Sequence, residues 1–144
     1  NSCKGVYCSH ILEHLSLNDF RTALRNTYKI LKPGGLFRLV LPDLEYCINQ
    51  YRNNNSSSAA FLFMQDTSLG YEHRPRGLKA IIALWFGNSQ HFWMWDYKAI
   101  LLELSNVGFK NVKRAYYNSS EDPYFKSVEE MSRWQDCLGV ECKK

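Results

Sequence analysis

The chain opens on a short apolar run, Val6-Tyr7-Cys8, which predicts a buried strand. After a polar turn, Leu17, Phe20, Leu24, Tyr28 and Leu31 recur at helical spacing and form one apolar stripe. Ser16 with Asp19 predicts the helix N-cap and an acidic first turn, while Lys29 and Lys32 suit the negative end of the helix dipole. Pro33-Gly34-Gly35 is expected to terminate this helix, because proline cannot continue it and glycine takes the left-handed conformation. Leu36 to Leu41 is almost continuously apolar, as expected of a central strand covered on both faces. Strand, helix and strand make one right-handed crossover of a parallel sheet.

Downstream the periods change. Leu44 to Arg52 predicts a short helix, Asn53 to Ser58 a solvated loop, and Ala59 to Met64 a second short helix. Tyr71 to Gly77 reads as irregular, and Leu78 to Phe86 as an apolar helical segment ended by Gly87. This stretch is too long for a simple connection, so residues 51–90 are expected to be a helical insertion in a single domain spanning 1–144. Asp96 then caps a helix with Tyr97, Ile100, Leu101, Leu104 and Val107 on its apolar side, stopped by Gly108. Phe109 to Tyr116 and Cys137 to Cys142 read as strands, and Phe125 to Arg133 is ambiguous. The expected strand order is first, second, fourth, third, with the last two antiparallel. Only four residues precede Gly5, so the first strand is expected to expose an edge. That edge predicts either a homo-oligomer or a missing N-terminal half that covers it.

Composition narrows the function classes. The 144 residues are 45% hydrophobic and 22% charged, with a net charge of +4 spread along the chain and no basic stripe. Nucleic acid is therefore not an expected partner. No apolar run reaches membrane-spanning length, so no membrane partner is expected. Five cysteines without CxxC spacing predict reduced thiols and a cytoplasmic protein.

His10-Ile11-Leu12-Glu13-His14 spells the HxxEH string of inverted zinc peptidases. That chemistry needs both histidines one turn apart on a helix, yet this string follows a strand and precedes the Ser16 cap. No third ligand is identifiable by spacing, so no metal site is expected and a zinc hydrolase ranks last. The cluster Trp85, Phe86, Phe92, Trp93 and Trp95 could stack on a planar ligand, but dense aromatics more often close a core.

Three stretches, VYCSHILEHL, YKILKPGGLFRLVLPDLE and HFWMWDYKAILLELSNVGFKNV, together with the final CLGVECKK, resemble the second half of class I S-adenosylmethionine-dependent methyltransferases. The resemblance implies an α/β, three-layer Rossmann-like fold, here its C-terminal half with a mixed sheet, and S-adenosylmethionine as cofactor. Ligands of such sheets sit at the carboxyl ends of the strands. It therefore implies Ser9, His10, Ile11 and Glu13 against the cofactor, and an unknown methyl acceptor near Asp43. Candidate bases are His10, His14, Asp43 and His91, each of which could instead cap or pack. The family's Gly-rich turn and ribose-binding acid have no counterpart, because Gly34-Gly35 ends a helix where a nucleotide loop must start one. Weak cofactor binding by this chain is the expectation. The runner-up is a non-catalytic interaction module that keeps the scaffold.

Overall fold

Ser16 Oγ accepts the Asp19 amide at 3.3 Å and donates to the Asp19 carboxylate at 2.7 Å, which starts helix α1 (Leu17–Ile30) where the cap pattern predicts. The computed structural model describes residues 2–71, 77 and 90–144. Strands β1 (Cys3–Ser9) and β2 (Leu31–Pro42) flank α1; helices α2 (Leu44–Asn53) and α3 (Ala59–Asp66) follow, then α4 (Tyr97–Val107), β3 (Lys110–Ala115) and β4 (Cys137–Lys143). The expected helix at Leu78 to Phe86 lies outside the described residues.

The sheet runs β1-β2-β4-β3. β1 and β2 are parallel, with Val6 opposite Phe37 and Ser9 opposite Val40; β4 is antiparallel to both β2 and β3. Strand order and directions therefore agree with the sequence reading. One detail differs. α1 ends at Ile30, ahead of the proline, and Leu31 already has extended backbone. Pro33-Gly34-Gly35 instead forms an irregularity inside β2, where the pairing jumps from Cys3–Leu31 to Gly5–Leu36. Gly34 takes φ of 74°, and a Cβ on Gly35 would stand 2.9 Å from both Lys32 O and Lys4 O.

The core lies on the α1/α4 face of the sheet. Phe37, Leu39 and Leu41 point there, alternating along β2, and meet Phe20 and Leu24 of α1 with Ile100 and Leu104 of α4. Leu101, expected among the apolar contacts of α4, is instead 37% exposed, since its position falls off the Ile100–Leu104 stripe.

The opposite face of β2 is covered by the segment following β3, which makes two 3-10 turns, Pro123–Ser127 and Met131–Arg133. Arg38, inside the apolar run, is fully buried on this face. Its Nε donates to Glu129, Nη1 to Glu141 at 3.2 Å and Nη2 to Tyr116 O at 2.5 Å, with the guanidinium 4.4 Å from the Trp134 ring. The second cover of this strand thus combines an ionic cluster at Arg38 with apolar packing of Val40 on Ala115 and Trp134. No helix among the described residues is long and apolar enough to cross a membrane.

Candidate functional site

Parallel pairing puts the carboxyl ends of β1 and β2 at one edge of the sheet. β1 ends at Ser9, whose Oγ is buried with no hydrogen-bond partner among the described residues. His10 follows with φ of 51°, a left-handed turn that breaks the strand, and Leu12–His14 forms a single 3-10 turn. Ile11 projects into solvent. Glu13 is 1% exposed, yet both its carboxylate oxygens lack a hydrogen-bond partner. A buried carboxylate left this way is costly unless something neutralises it.

The four candidate bases separate into distinct environments. His10 faces the C-terminal segment: Nε2 lies 2.9 Å from Arg133 O and 3.8 Å from Cys137 Sγ, while Nδ1 sits 3.4 Å from Glu13 Oε1. The contact with Cys137, followed by the ion-pair contact with Glu13, pushes its pKa up to about 10. The zinc-peptidase geometry is not formed, because a left-handed His10 and a three-residue 3-10 turn replace the required α-helix. Asp43 caps α2, its Oδ1 accepting the Glu45 amide at 2.9 Å, and its Oδ2 is 3.7 Å from Arg114 Nη1.

His14 and His91 come together. Their rings are 5.0 Å apart, edge to face. His14 Nδ1 lies 2.9 Å from Gln90 O, and His91 Nδ1 lies 2.9 Å from Thr67 O. A carbonyl only accepts, so both rings donate from Nδ1 and, when neutral, carry a lone pair on Nε2. Burial holds the His91 pKa below its usual value, with Glu13 opposing that shift. The backbone fixes the group from both sides: the Phe92 and Trp93 amides donate to Glu13 O at 2.8 and 3.2 Å, and the His91 amide to Ser68 O at 3.3 Å.

The aromatic cluster divides. Trp95 is buried and stacks on Phe20 at 4.1 Å, as packing predicts, whereas Phe92 and Trp93 are 57% and 42% exposed; Trp85 and Phe86 lie outside the described residues. Sequence reasoning missed the grouping of Glu13, His14 and His91, since His91 arrives from the far side of the 51–90 stretch and no spacing links it to the turn. A separate open cleft of about 370 Å³ between α2 and α3, lined by Cys47, Gln50, Tyr51, Leu62, Phe63 and Asp66 among others, contains none of the candidate residues.

Residues 1–114 match a family profile described as a methyltransferase domain. No curated protein sequence matches the chain. Among solved structures, it is similar to an S-adenosylmethionine-dependent methyltransferase from Archaeoglobus fulgidus, with a TM-score of 0.52 and 16% identity over 99% of this chain. It is also similar to a candidate O-methyltransferase from Nostoc punctiforme, with a TM-score of 0.53 and 12% identity over 100% of this chain. The matches span only 60% and 32% of the lengths of those two proteins.

Proposed function

The chain belongs to the class I S-adenosylmethionine-dependent methyltransferase family, with the Rossmann-like fold of that family and a mixed sheet, and we propose that it forms the acceptor-side part of a methyl-transfer site. The observation that carries this reading is the carboxyl edge of β1, where Ser9 Oγ and the Glu13 carboxylate are buried polar atoms without hydrogen-bond partners among the described residues. Unpaired polar atoms at that edge fit the charged methionine end of the cofactor, and exposed Ile11 fits its apolar contacts. When bound, S-adenosylmethionine supplies an electrophilic methyl group.

The chain's own residues orient the acceptor and move its proton. His14 and His91 present Nε2 lone pairs that take a proton from an acceptor hydroxyl or amine, and their Nδ1 bonds to backbone hold the rings in that orientation. Phe92 and Trp93, exposed beside Glu13, fit a planar acceptor. Asp43 and His10 serve mainly to hold α2 and the C-terminal segment in place. Among the described residues no glycine-rich turn opens a helix, and the glycine pair Gly34-Gly35 interrupts a strand, which supports weak binding of the cofactor by these residues.

Titrating the chain with S-adenosylhomocysteine, followed by amide NMR shifts, tests this. Shifts centred on Ser9 to Glu13, with a dissociation constant weaker than about 100 μM, support the proposal. Shifts confined to the α2–α3 cleft, or none at millimolar ligand, refute it.

A further inference from the structure

We propose that Glu13, His14 and His91 form a binding site for one divalent first-row transition-metal ion of the zinc or cobalt type. Three observations converge on it. One carboxylate oxygen and one ring nitrogen from each histidine lie within 4.8 Å of one another. Glu13 is buried with no hydrogen-bond donor to either oxygen among the described residues, its ion-pair contacts being the His10 and His14 rings at 3.4 and 3.9 Å from Oε1. Both histidines donate Nδ1–H to backbone carbonyls, Gln90 O and Thr67 O, at 2.9 Å each.

That last arrangement is the one metal-bound histidines adopt, because the outer bond fixes the ring and turns the Nε2 lone pair toward the ion. Two imidazole nitrogens and one carboxylate oxygen form a borderline donor set, which selects zinc-like ions over calcium or magnesium. Metal bonds of about 2.0–2.2 Å bring donors in a tetrahedral site to roughly 3.5 Å apart. The cluster must therefore contract by about 1 Å, which the Glu13 side-chain torsions can supply. His14 Nε2 is already 3.9 Å from Glu13 Oε1. Three protein ligands leave a coordination position open for water or an acceptor oxygen.

The competing occupant of Glu13 is the His10 ring, whose Nδ1 is 3.4 Å from Oε1; the competing metal donor pair is His10 with Cys137. Both are distinguishable. The ion and the acceptor proton would use the same Nε2 lone pairs, so the metal site is an alternative occupancy of those rings. It does not depend on the methyl-transfer reading, since cation binding is measured with no methyl donor or acceptor present.

The test is titration of the metal-stripped 144-residue chain with Co²⁺, followed by its visible absorption, then competition with Zn²⁺. One ion per chain with a dissociation constant below about 10 μM is expected. Glu13→Gln and His91→Gln should each weaken binding at least tenfold, while Cys137→Ser should change it less than twofold, with circular dichroism confirming that each variant folds. Ring ¹⁵N spectra of the unmodified chain give a second readout that needs no variant: Zn²⁺ should move Nε2 of His14 and His91 and leave the His10 ring in place. Absence of stoichiometric binding, unchanged affinity in both ligand variants, loss of binding in Cys137→Ser, or a ring shift at His10 alone would each overturn the assignment.

Discussion

Arg38→Met puts the ionic cover of β2 to the test. The guanidinium is fully buried and satisfies Glu129, Glu141 and the Tyr116 carbonyl at once, while lying over Trp134. Methionine keeps most of the volume but leaves two buried carboxylates without their main counter-charge. Removing one partner of a buried pair costs about 3–5 kcal/mol. Here the loss falls toward the lower end, because Glu129 keeps the Asn118 amide at 2.7 Å and Glu141 keeps Ser120 Oγ at 2.5 Å and Lys113 at 3.4 Å. About 3 kcal/mol is a large part of the 5–15 kcal/mol that separates native from unfolded domains. With a urea slope of about 1–3 kcal/mol/M, the midpoint should drop by roughly 1–3 M. Circular dichroism in urea measures this directly. The cause is isolated by adding Glu129→Gln and Glu141→Gln to the methionine variant, which removes the stranded charges and should recover at least half of the loss. A single variant that loses under about 1 kcal/mol would refute the reasoning. So would a triple variant no more stable than the single one.

The Gly34 and Gly35 substitutions should separate strain from collision. At Gly34→Val the Cβ meets no atom within 4 Å but the residue must hold φ of 74°, and the change should cost about 1–2 kcal/mol in urea unfolding. Gly35→Ala presses a Cβ against two carbonyl oxygens at 2.9 Å and should cost more; the reverse order would relocate the constraint. Arg21 forks onto Glu103 across α1 and α4 and holds that carboxyl below its usual range. The stability it contributes is present above the ordinary carboxylate pKa and is lost as pH falls through the lowered value, so Glu103→Gln should flatten the acid side of a stability–pH curve, slightly because Arg21 is half-exposed. Burial, then Glu141, pushes the Cys142 thiol up to about 12, so iodoacetamide at pH 8 should leave Cys142 unlabelled in the native chain and label it in urea, as peptide mass spectrometry would show. At the outer edge of β1, Tyr7→Lys should lower the sedimentation coefficient if two copies pair there, and Tyr7→Phe, which removes only the hydroxyl bonded to Trp134, should leave it unchanged.

What the sequence made legible is what nearest neighbours decide. The Ser16 and Asp96 caps, the stripes of α1 and α4 apart from Leu31 and Leu101, and the parallel β1–β2 pair all follow from local period and capping chemistry, and the structure carries each of them. Local pattern failed where it assumed a backbone conformation. HxxEH implies two histidines on one α-helical face; a left-handed His10 turns its Nε2 to Arg133 and Cys137 while its Nδ1 stays 3.4 Å from Glu13, and only His14 joins Glu13 and His91 in one group. Aromatic density likewise carried no facing information: Trp95 packs on Phe20, while Phe92 and Trp93, its close neighbours in sequence, remain exposed. Arg38 failed for a different reason. A lone charge within Leu36–Leu41 is outvoted by its neighbours in any pattern count, and its partners Glu129 and Glu141 lie far along the chain. The same physics governs both hidden sites. A charged group is tolerated in an apolar setting only when distant residues converge on it. Arg38 has found such residues within the chain, whereas Glu13 has not found a hydrogen-bond donor among the described residues. That difference separates a carboxylate group that stabilises the fold from one available to a ligand.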